Sequence, residues 1–468
     1  MRKIYWPLAA TAVLMAGCNL APKYERPVSP IGTTWTAPTS ATNGVSAAQM
    51  PWVEFFKDAR LQKIIELALG NNRDLRVAAL NVEIARAQYR IQGADQFPTV
   101  DASASGSRQR TPASLTGTGK PVTTSRYSVE GIASYEVDLF GRVRSLKAQA
   151  LESYLATAEA SLSARISLVA EVAVQYFAQQ TAAEQLKISQ ETLDTVTKSL
   201  ELTKRRFELG DTSELDVSSA QVLVQTARAS VANYQQQLAQ ADNALALLVG
   251  AALPADLPAK QALDDKAVLA NLAPGMPADL LQQRPDILAA EHQLKAANAN
   301  IGAARAAYFP RILLTGGGGT ASAQLTDLFT GPSATWNFSP QITVPIFEAG
   351  RNRANLDAAK LSKLVEVAQY ERAIQSAFRE VSDALVVRAW IDEQLAAVQE
   401  LVAAQQKRLT LAQARYKSGV DSFLAVLTAQ QDLFTAQQTL TNVRFARLAN
   451  HVTLYRVLGG GWSEAAAK

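Results

Sequence analysis

One cysteine and two histidines among 468 residues leave little material for thiol, disulfide or metal chemistry. A lone cysteine, Cys18, excludes an internal disulfide framework and a cysteine-rich metal site. His292 and His451 stand isolated on helical patterns, without a partner at ligand spacing, and read as surface or packing residues. No Ser/His/Asp constellation and no His-Glu-x-x-His pattern occurs, so nothing in the sequence supports an enzyme. Charged residues are only 19% of the chain, and no Lys/Arg block appears. The formal charge of +4 falls to +2 once Arg2 and Lys3 of the leader are removed, so no nucleic-acid partner follows. Beyond the N-terminus no run of 18 apolar residues exists, which excludes a transmembrane helix.

Proline and glycine are missing from two long stretches, and these organise the chain. Residues 141–209 and 351–418 read as unbroken helices, each roughly 100 Å long at 1.5 Å per residue. Both follow an aromatic and a Gly-Arg pair, Phe140-Gly141-Arg142 and Phe347-Glu348-Ala349-Gly350-Arg351. Both end alike, at Arg206-Phe207-Glu208-Leu209-Gly210 and Arg415-Tyr416-Lys417-Ser418-Gly419. The offset is 209 at each end (350−141 and 419−210), so the chain is two copies of one long unit. Apolar seams at three- and four-residue spacing run along the helices: Leu193, Val196, Leu200, Thr203 and Phe207, then Ile374, Phe378, Val381 and Leu385. Gly210 and Gly419 turn each long helix into a returning one, over 215–248 and 423–458. Asp211-Thr212-Ser213 in the first turn, and Asp421 and Ser422 in the second, are the expected caps.

Ahead of each long helix the period changes from 3.6 to 2. After Phe97-Pro98, Val100, Ala102, Ala104 and Gly106 alternate with polar residues; after a loop, so do Tyr127, Val129, Gly131, Ala133, Tyr135 and Val137. The device repeats after Phe309-Pro310, with Ile312, Leu314 and Gly316, then Trp336, Phe338, Ile342, Val344 and Ile346. Such strands suit a transmembrane β-barrel. Two hairpins, 99–139 and 311–347, make four strands, too few to close a barrel alone; an open edge in lipid leaves backbone groups unpaired, so the chain must oligomerise. Gly316-Gly317-Gly318-Gly319-Thr320-Ala321 formally fits a dinucleotide fingerprint, but a second strand follows instead of a helix. These glycines read as small residues at crowded strand positions. Gly117-Thr118-Gly119-Lys120 lacks the leading glycine of a phosphate loop, since Ser114 stands there, and reads as loop composition.

The domain plan is a leader over 1–17, an extended segment and first helix over 18–70, repeat 1 over 71–250, a linker subdomain over 251–283, repeat 2 over 284–458 and a tail over 459–468. Arg2 and Lys3, the apolar run to Met15 and the sequence Ala16-Gly17-Cys18 resemble the lipobox of bacterial lipoproteins. That resemblance implies cleavage before Cys18, with N-acyl and S-diacylglycerol lipid on it and no other cofactor. Asn19 at the second mature position implies delivery to the outer membrane.

Taken together, the lipobox, the two-fold repeat, the paired hairpins, the Arg-[Phe/Tyr]-x-x-Gly and Gly-Arg signatures, and Cys18-Asn19-Leu20-Ala21-Pro22-Lys23-Tyr24-Glu25-Arg26-Pro27 resemble the TolC/OprM outer-membrane efflux channels, lipoprotein branch. The resemblance implies an α+β membrane protein: a homotrimer whose shared twelve-stranded β-barrel continues into a long α-helical coiled-coil barrel. It also implies a periplasmic adaptor and an inner-membrane RND transporter as partners. The expected activity is passive conduction of small molecules through the periplasm and outer membrane. At the periplasmic gate, Tyr416 matches the tyrosine of a polar lock and Asp216 its acidic partner. Leu424 matches a pore-closing leucine. Thr428 stands where an acid is expected and Gln431 where a basic residue often sits, leaving Asp421 or Asp432 to supply the charge. Two other readings remain: the same channel serving type I protein secretion, and a non-conducting periplasmic coiled-coil adaptor.

Overall fold

A computed structural model describes residues 19–35, 45–47, 50–259, 267–269, 272–273 and 275–460. The leader, Cys18, part of the linker and residues 461–468 lie outside the described residues. The larger elements are α1 (Ala59–Asn71), α2 (Arg73–Ala94), β1 (Thr99–Thr111), β2 (Val122–Val137), α3 (Arg142–Glu208), α4 (Glu214–Val249), α5 (Pro285–Ala306), β3 (Arg311–Ser322), β4 (Ala334–Thr343), α6 (Arg351–Lys417) and α7 (Phe423–Val457). No helix among the described residues is long and apolar enough to cross a membrane. The chain divides into two compact units, and the long helices contribute to both.

The first unit holds the sheet, with residues 81–157 and 289–370 and the N-terminal segment up to residue 28. The sheet is an antiparallel meander in the order β1-β2-β3-β4, so β1 and β4 are its edges. Residues opposite one another across a ladder share a face. The register therefore collects Val100, Ala102, Ala104, Gly106, Tyr127, Val129, Ala133, Tyr135, Ile312, Leu314, Phe338, Trp336 and Ile342 on one face. The other face carries Asp101, Ser103, Ser105, Arg126, Ser128, Glu130, Ser134, Glu136, Thr315, Asn337, Ser339 and Gln341. Yet the apolar face is open: Trp336 is 81% exposed and Val100 76%. The glycine run of β3 answers crowding. A Cβ on Gly319 would overlap the Val129 carbonyl oxygen, and one on Gly317 would stand 2.5 Å from Asn337 Oδ1.

The N-terminal segment is bound along α5. Tyr24 Oη donates to Glu291 Oε1 at 3.0 Å, and Arg26 reaches both oxygens of that carboxylate at 3.0 and 2.6 Å. Asn298 and Arg305 donate to the carbonyls of Pro22 and Leu20. Gly302 makes room for the chain, since a Cβ there would approach Ala21 to 2.8 Å. Burial alone would raise the Glu291 pKa; the Arg26 hydrogen bonds, with the charge of Lys295, hold it below the usual carboxylate range instead.

In the second unit the internal repeat reappears as a repeated tertiary closure. Asn72 Nδ2 donates to the Leu248 carbonyl at 2.8 Å, and Arg284 Nη1 to the Val457 carbonyl at 3.1 Å. Two different side chains thus tie the end of each returning helix to the start of its repeat. Beside each bond a left-handed glycine meets backbone: a Cβ would lie 2.5 Å from the Asn71 carbonyl oxygen at Gly250 and 2.8 Å from that of Gln283 at Gly459. Only glycine fits a positive φ at so close an approach. A two-residue parallel pair joins Val45–Ser46 to Leu272–Ala273, and Trp35 stacks on Phe378 at 5.2 Å.

Candidate functional site

The two hairpin turns have identical backbone chemistry. Gly210 (φ 79°) and Gly419 (φ 71°) are both left-handed. The Gly210 and Asp211 N–H groups donate to the carbonyls of Phe207 and Arg206; those of Gly419 and Val420 donate to Tyr416 and Arg415. Each long helix therefore ends in the same Schellman motif, which satisfies its last carbonyls. The hairpins pack on one apolar cluster that includes Val196, Leu200, Val224, Leu409, Phe423 and Leu427, with Tyr416 partly buried against it. The first seam extends only to Thr203: Phe207, expected in it, is 44% exposed, because the helix is ending and its neighbour turns away at Gly210.

Side chains break the symmetry. Ser213 caps α4 in a full capping box, with Asp216 at the third helical position reaching back to the Ser213 N–H. Asp216 Oδ2 also accepts from the hydroxyls of Thr212 and Ser213, each at 2.8 Å. The Thr212 hydrogen bond, followed by those from Ser213, holds the Asp216 carboxyl below its ordinary range. The expected cap on α7 is absent: Ser422 makes no side-chain cap bond. Asp421 does not cap either. It forms a two-pronged pair with Arg415 at 2.6 and 2.8 Å, and that arginine lowers its pKa.

The structure does not join Tyr416 to Asp216 within one chain. Asp216 is engaged with its own turn, and the Tyr416 ring lies against Phe423 at 5.2 Å and under the Arg206 guanidinium at 4.9 Å. Leu424 is 62% exposed, free to contact something outside this chain. Thr428 Oγ1 donates back to the Leu424 carbonyl, so its hydroxyl is spent locally. Asp432 pairs with Arg408 at 2.5 Å. Both acids read from the sequence as alternative sources of negative charge are thus paired with arginine.

Arg206, Arg415 and Arg408 were not read from the sequence as members of this site. The repeat carries the signal for the first two. At the 209 offset Arg206 matches Arg415, and Thr212 matches Asp421. Arg415 keeps its partner in its own turn; Arg206 meets a threonine at the matching position and reaches the other hairpin. Among the described residues no group of three or more His, Cys, Asp or Glu could hold a metal. His292 lies 2.6 Å from Glu152, and His451 is buried.

A sheet with one polar and one apolar face and edges unpaired among the described residues, joined to long helices, has the architecture of the outer-membrane channels. A sequence profile of the outer membrane efflux protein family matches residues 64–251 and 276–460, and the chain belongs to that family. It is 49% identical to the toluene efflux pump outer membrane protein TtgC of Pseudomonas putida over 99% of this chain and 97% of that protein. The antibiotic efflux pump outer membrane protein ArpC of Pseudomonas putida is equally similar, at 49% identity over the same shares. The crystal structure of the open state of the Neisseria gonorrhoeae MtrE outer membrane channel superposes with a TM-score of 0.87 at 40% identity, covering 95% of this chain and 98% of that one.

Proposed function

We propose that three copies of this chain form the outer-membrane exit duct of a tripartite efflux pump that expels small molecules. The sheet carries this reading. Its edges β1 and β4 are unpaired among the described residues, and its faces separate into apolar and polar. Three four-stranded sheets closed edge to edge leave no unpaired backbone in lipid and put the polar face around water. The helices continue the same edges. α2 leads into β1 and exposes Val77, Leu80, Ile84 and Ile91; α6 follows β4 and exposes Leu361, Leu364 and Val365. A neighbouring copy would cover both stripes.

The hairpin tips are the constriction in this reading, and the surfaces a periplasmic adaptor and an inner-membrane RND transporter would engage. The chain performs no catalysis; the pump supplies the energy. Cys18 carries the lipid anchor, which mass spectrometry of the first mature peptide tests directly. Relatives at one level of identity are named for toluene and for antibiotics, which favours small apolar or amphipathic cargo over secreted protein. Light scattering of the detergent-solubilised protein should give the mass of three chains, and planar bilayers should show channel conductance. A folded, monodisperse monomer would sink the proposal.

A further inference from the structure

The apolar face of the sheet carries two charges, and both are positive. Strand β1 places Arg108 and Arg110 on the same face as Val100, Ala102 and Gly106, opposite Ser125 and Thr123 of β2. The charged residues at the other strand positions (Asp101, Arg126, Glu130, Glu136 and Arg311) all lie on the polar face. Arg108 and Arg110 are exposed. The ion pairs within the sheet lie elsewhere: Glu136 serves Arg142 and Arg311 on the polar face. Two like charges, about 7 Å apart along one strand, therefore stand on an apolar surface without an acid on that face to offset them.

Their height explains how this is tolerated. The strand ends at Thr99, Val137, Arg311 and Thr343 lead to helices, and the opposite ends are joined by the loops 112–121 and 323–333. In the channel reading the helices stand in the periplasm, so the loop end is the outer one. From Val100 to Arg110 the strand rises about 34 Å, or roughly 26 Å of height at a typical barrel tilt, against an apolar band of about 25 Å. One rung below Arg108, the Tyr127 ring covers Gly106, with an added Cβ falling 3.2 Å from it. An aromatic at this height belongs to the interfacial girdle. Arg110 stands at headgroup level and Arg108 within side-chain reach of it, where charge on the lipid face costs little and a guanidinium can grip a phosphate by two parallel hydrogen bonds.

We infer that Arg108 and Arg110 form a binding site for the phosphate-bearing headgroup of an outer-leaflet lipid. The inference rests on the channel reading, which sets the apolar face against lipid. Arg126 supplies the control. It lies beside Arg108 in height, opposite Ser107, but on the polar face. The full-length protein is reconstituted into phosphatidylcholine vesicles containing bis-phosphorylated lipid A, and the lipid A retained per trimer is measured after detergent extraction. Fully dephosphorylated lipid A in the same vesicles tests the phosphate itself. Arg108→Gln with Arg110→Gln should retain at least about tenfold less than wild type, Arg108→Lys with Arg110→Lys should keep part, and Arg126→Gln should match wild type. Excess soluble inorganic phosphate should not displace the lipid; displacement would mean a free-anion site and overturn the lipid assignment. Equal retention by the Gln pair, an equal loss in Arg126→Gln, or no difference between the two lipids would overturn the proposal. Conductance of the same vesicles separates the two readings: a wild-type protein that never inserts strikes the channel, while an inserted Gln pair that keeps its lipid strikes only this site.

Discussion

Arg206 lies over the ring of Tyr416, its guanidinium carbon 4.9 Å from the ring centroid, so the two hairpins of one chain meet through a cation and a π face. The contact exists because the repeat is imperfect. Arg415, the counterpart of Arg206, is occupied by Asp421. Thr212 stands at the position of Asp421 and offers no carboxylate, and Phe207 stands at that of Tyr416. A change at one position of the first turn redirects an arginine from its own hairpin to the other.

This contact and a tyrosine–carboxylate lock between chains make different predictions for the channel. Tyr416→Phe removes the hydroxyl and keeps the ring beneath Arg206; Tyr416→Leu and Arg206→Gln remove the cation–π contact. At an exposed tip such a contact contributes about 0.5–1 kcal/mol. Three copies shift a closed-to-open balance by about 1.5–3 kcal/mol, or roughly ten- to hundredfold. We expect single-channel open probability in planar bilayers to rise in Tyr416→Leu and Arg206→Gln and to stay near wild type in Tyr416→Phe. Opening by Tyr416→Phe together with Asp216→Ala, with Arg206→Gln silent, would instead assign closure to the polar lock. Leu424→Ala widens the aperture sterically and should add to either.

The glycines of β3 differ sharply in what they tolerate. At Gly319 a Cβ collides with the Val129 backbone, whereas at Gly318 its nearest neighbour is the Thr335 carbonyl oxygen at 4.0 Å. Backbone cannot rotate aside as a side chain does, so Gly319→Ala must part β2 from β3, at a cost of about 1–3 kcal/mol or more. Gly318→Ala should assemble like wild type. The fraction of heat-resistant assembled protein on a denaturing gel reads both. Equal assembly of the two variants would contradict the register.

Much of the fold was legible because it depends on local pattern. Freedom from proline and glycine marked the stretch that follows Gly141 as far as Leu209, and the helix occupies Arg142–Glu208. Strict alternation marked both hairpins, because a sheet with one wet face enforces period 2. The closures at Asn72 and Arg284 were not legible, since an amide and a guanidinium reach equivalent carbonyls and no residue type is repeated. Asp216 was read as the partner of a distant tyrosine. The Ser213-to-Asp216 spacing is itself a capping signature, and a local bond costs less chain entropy than a distant one. Arg206 was missed because the pattern of its own hairpin gives no sign of the ring it covers.

Arg26 should be the residue that holds the N-terminal segment down. Glu291 is buried and Arg26 partly exposed, so loss of the arginine strands a carboxylate, while the arginine itself can turn to water. Arg26→Ala should cost about 1–3 kcal/mol and expose residues 19–28 to limited proteolysis. The pH dependence follows from the lowered pKa of Glu291. Its contribution is present above the unfolded value of about 4.3 and is lost as pH falls through the lower folded value. Cleavage of the wild-type segment should therefore be steady from neutral pH to about pH 5 and increase only in stronger acid. A segment equally protected in Arg26→Ala would show that the side-chain bonds from Asn298 and Arg305 to its carbonyls suffice.

The two turns should differ in how they fray. Ser213 Oγ accepts from the Asp216 N–H at 3.2 Å, and the Ser213 N–H donates back to the Asp216 carboxylate at 3.3 Å. Ser422 makes no such bond, and Ala425 stands where Asp216 does in the first copy. Ser213→Ala or Asp216→Ala should thus cost about 1 kcal/mol locally, and Ser422→Ala only a few tenths. Hydrogen exchange in peptides over 211–220 should accelerate about fivefold in the first two variants, and peptides over 420–429 should be unchanged in the third. Acid should act on the first turn in the same way. Because the folded pKa of Asp216 is lowered, the box is intact above the unfolded value of about 3.9 and opens as pH falls through the folded one. Wild type brought below that range should show over residues 211–220 the protection, relative to the intrinsic exchange rate at that pH, that Asp216→Ala shows at neutral pH. If Ser213→Ala and Ser422→Ala accelerate exchange equally, the asymmetry assigned to the turns is wrong, and both helices are held by the shared apolar cluster beneath them.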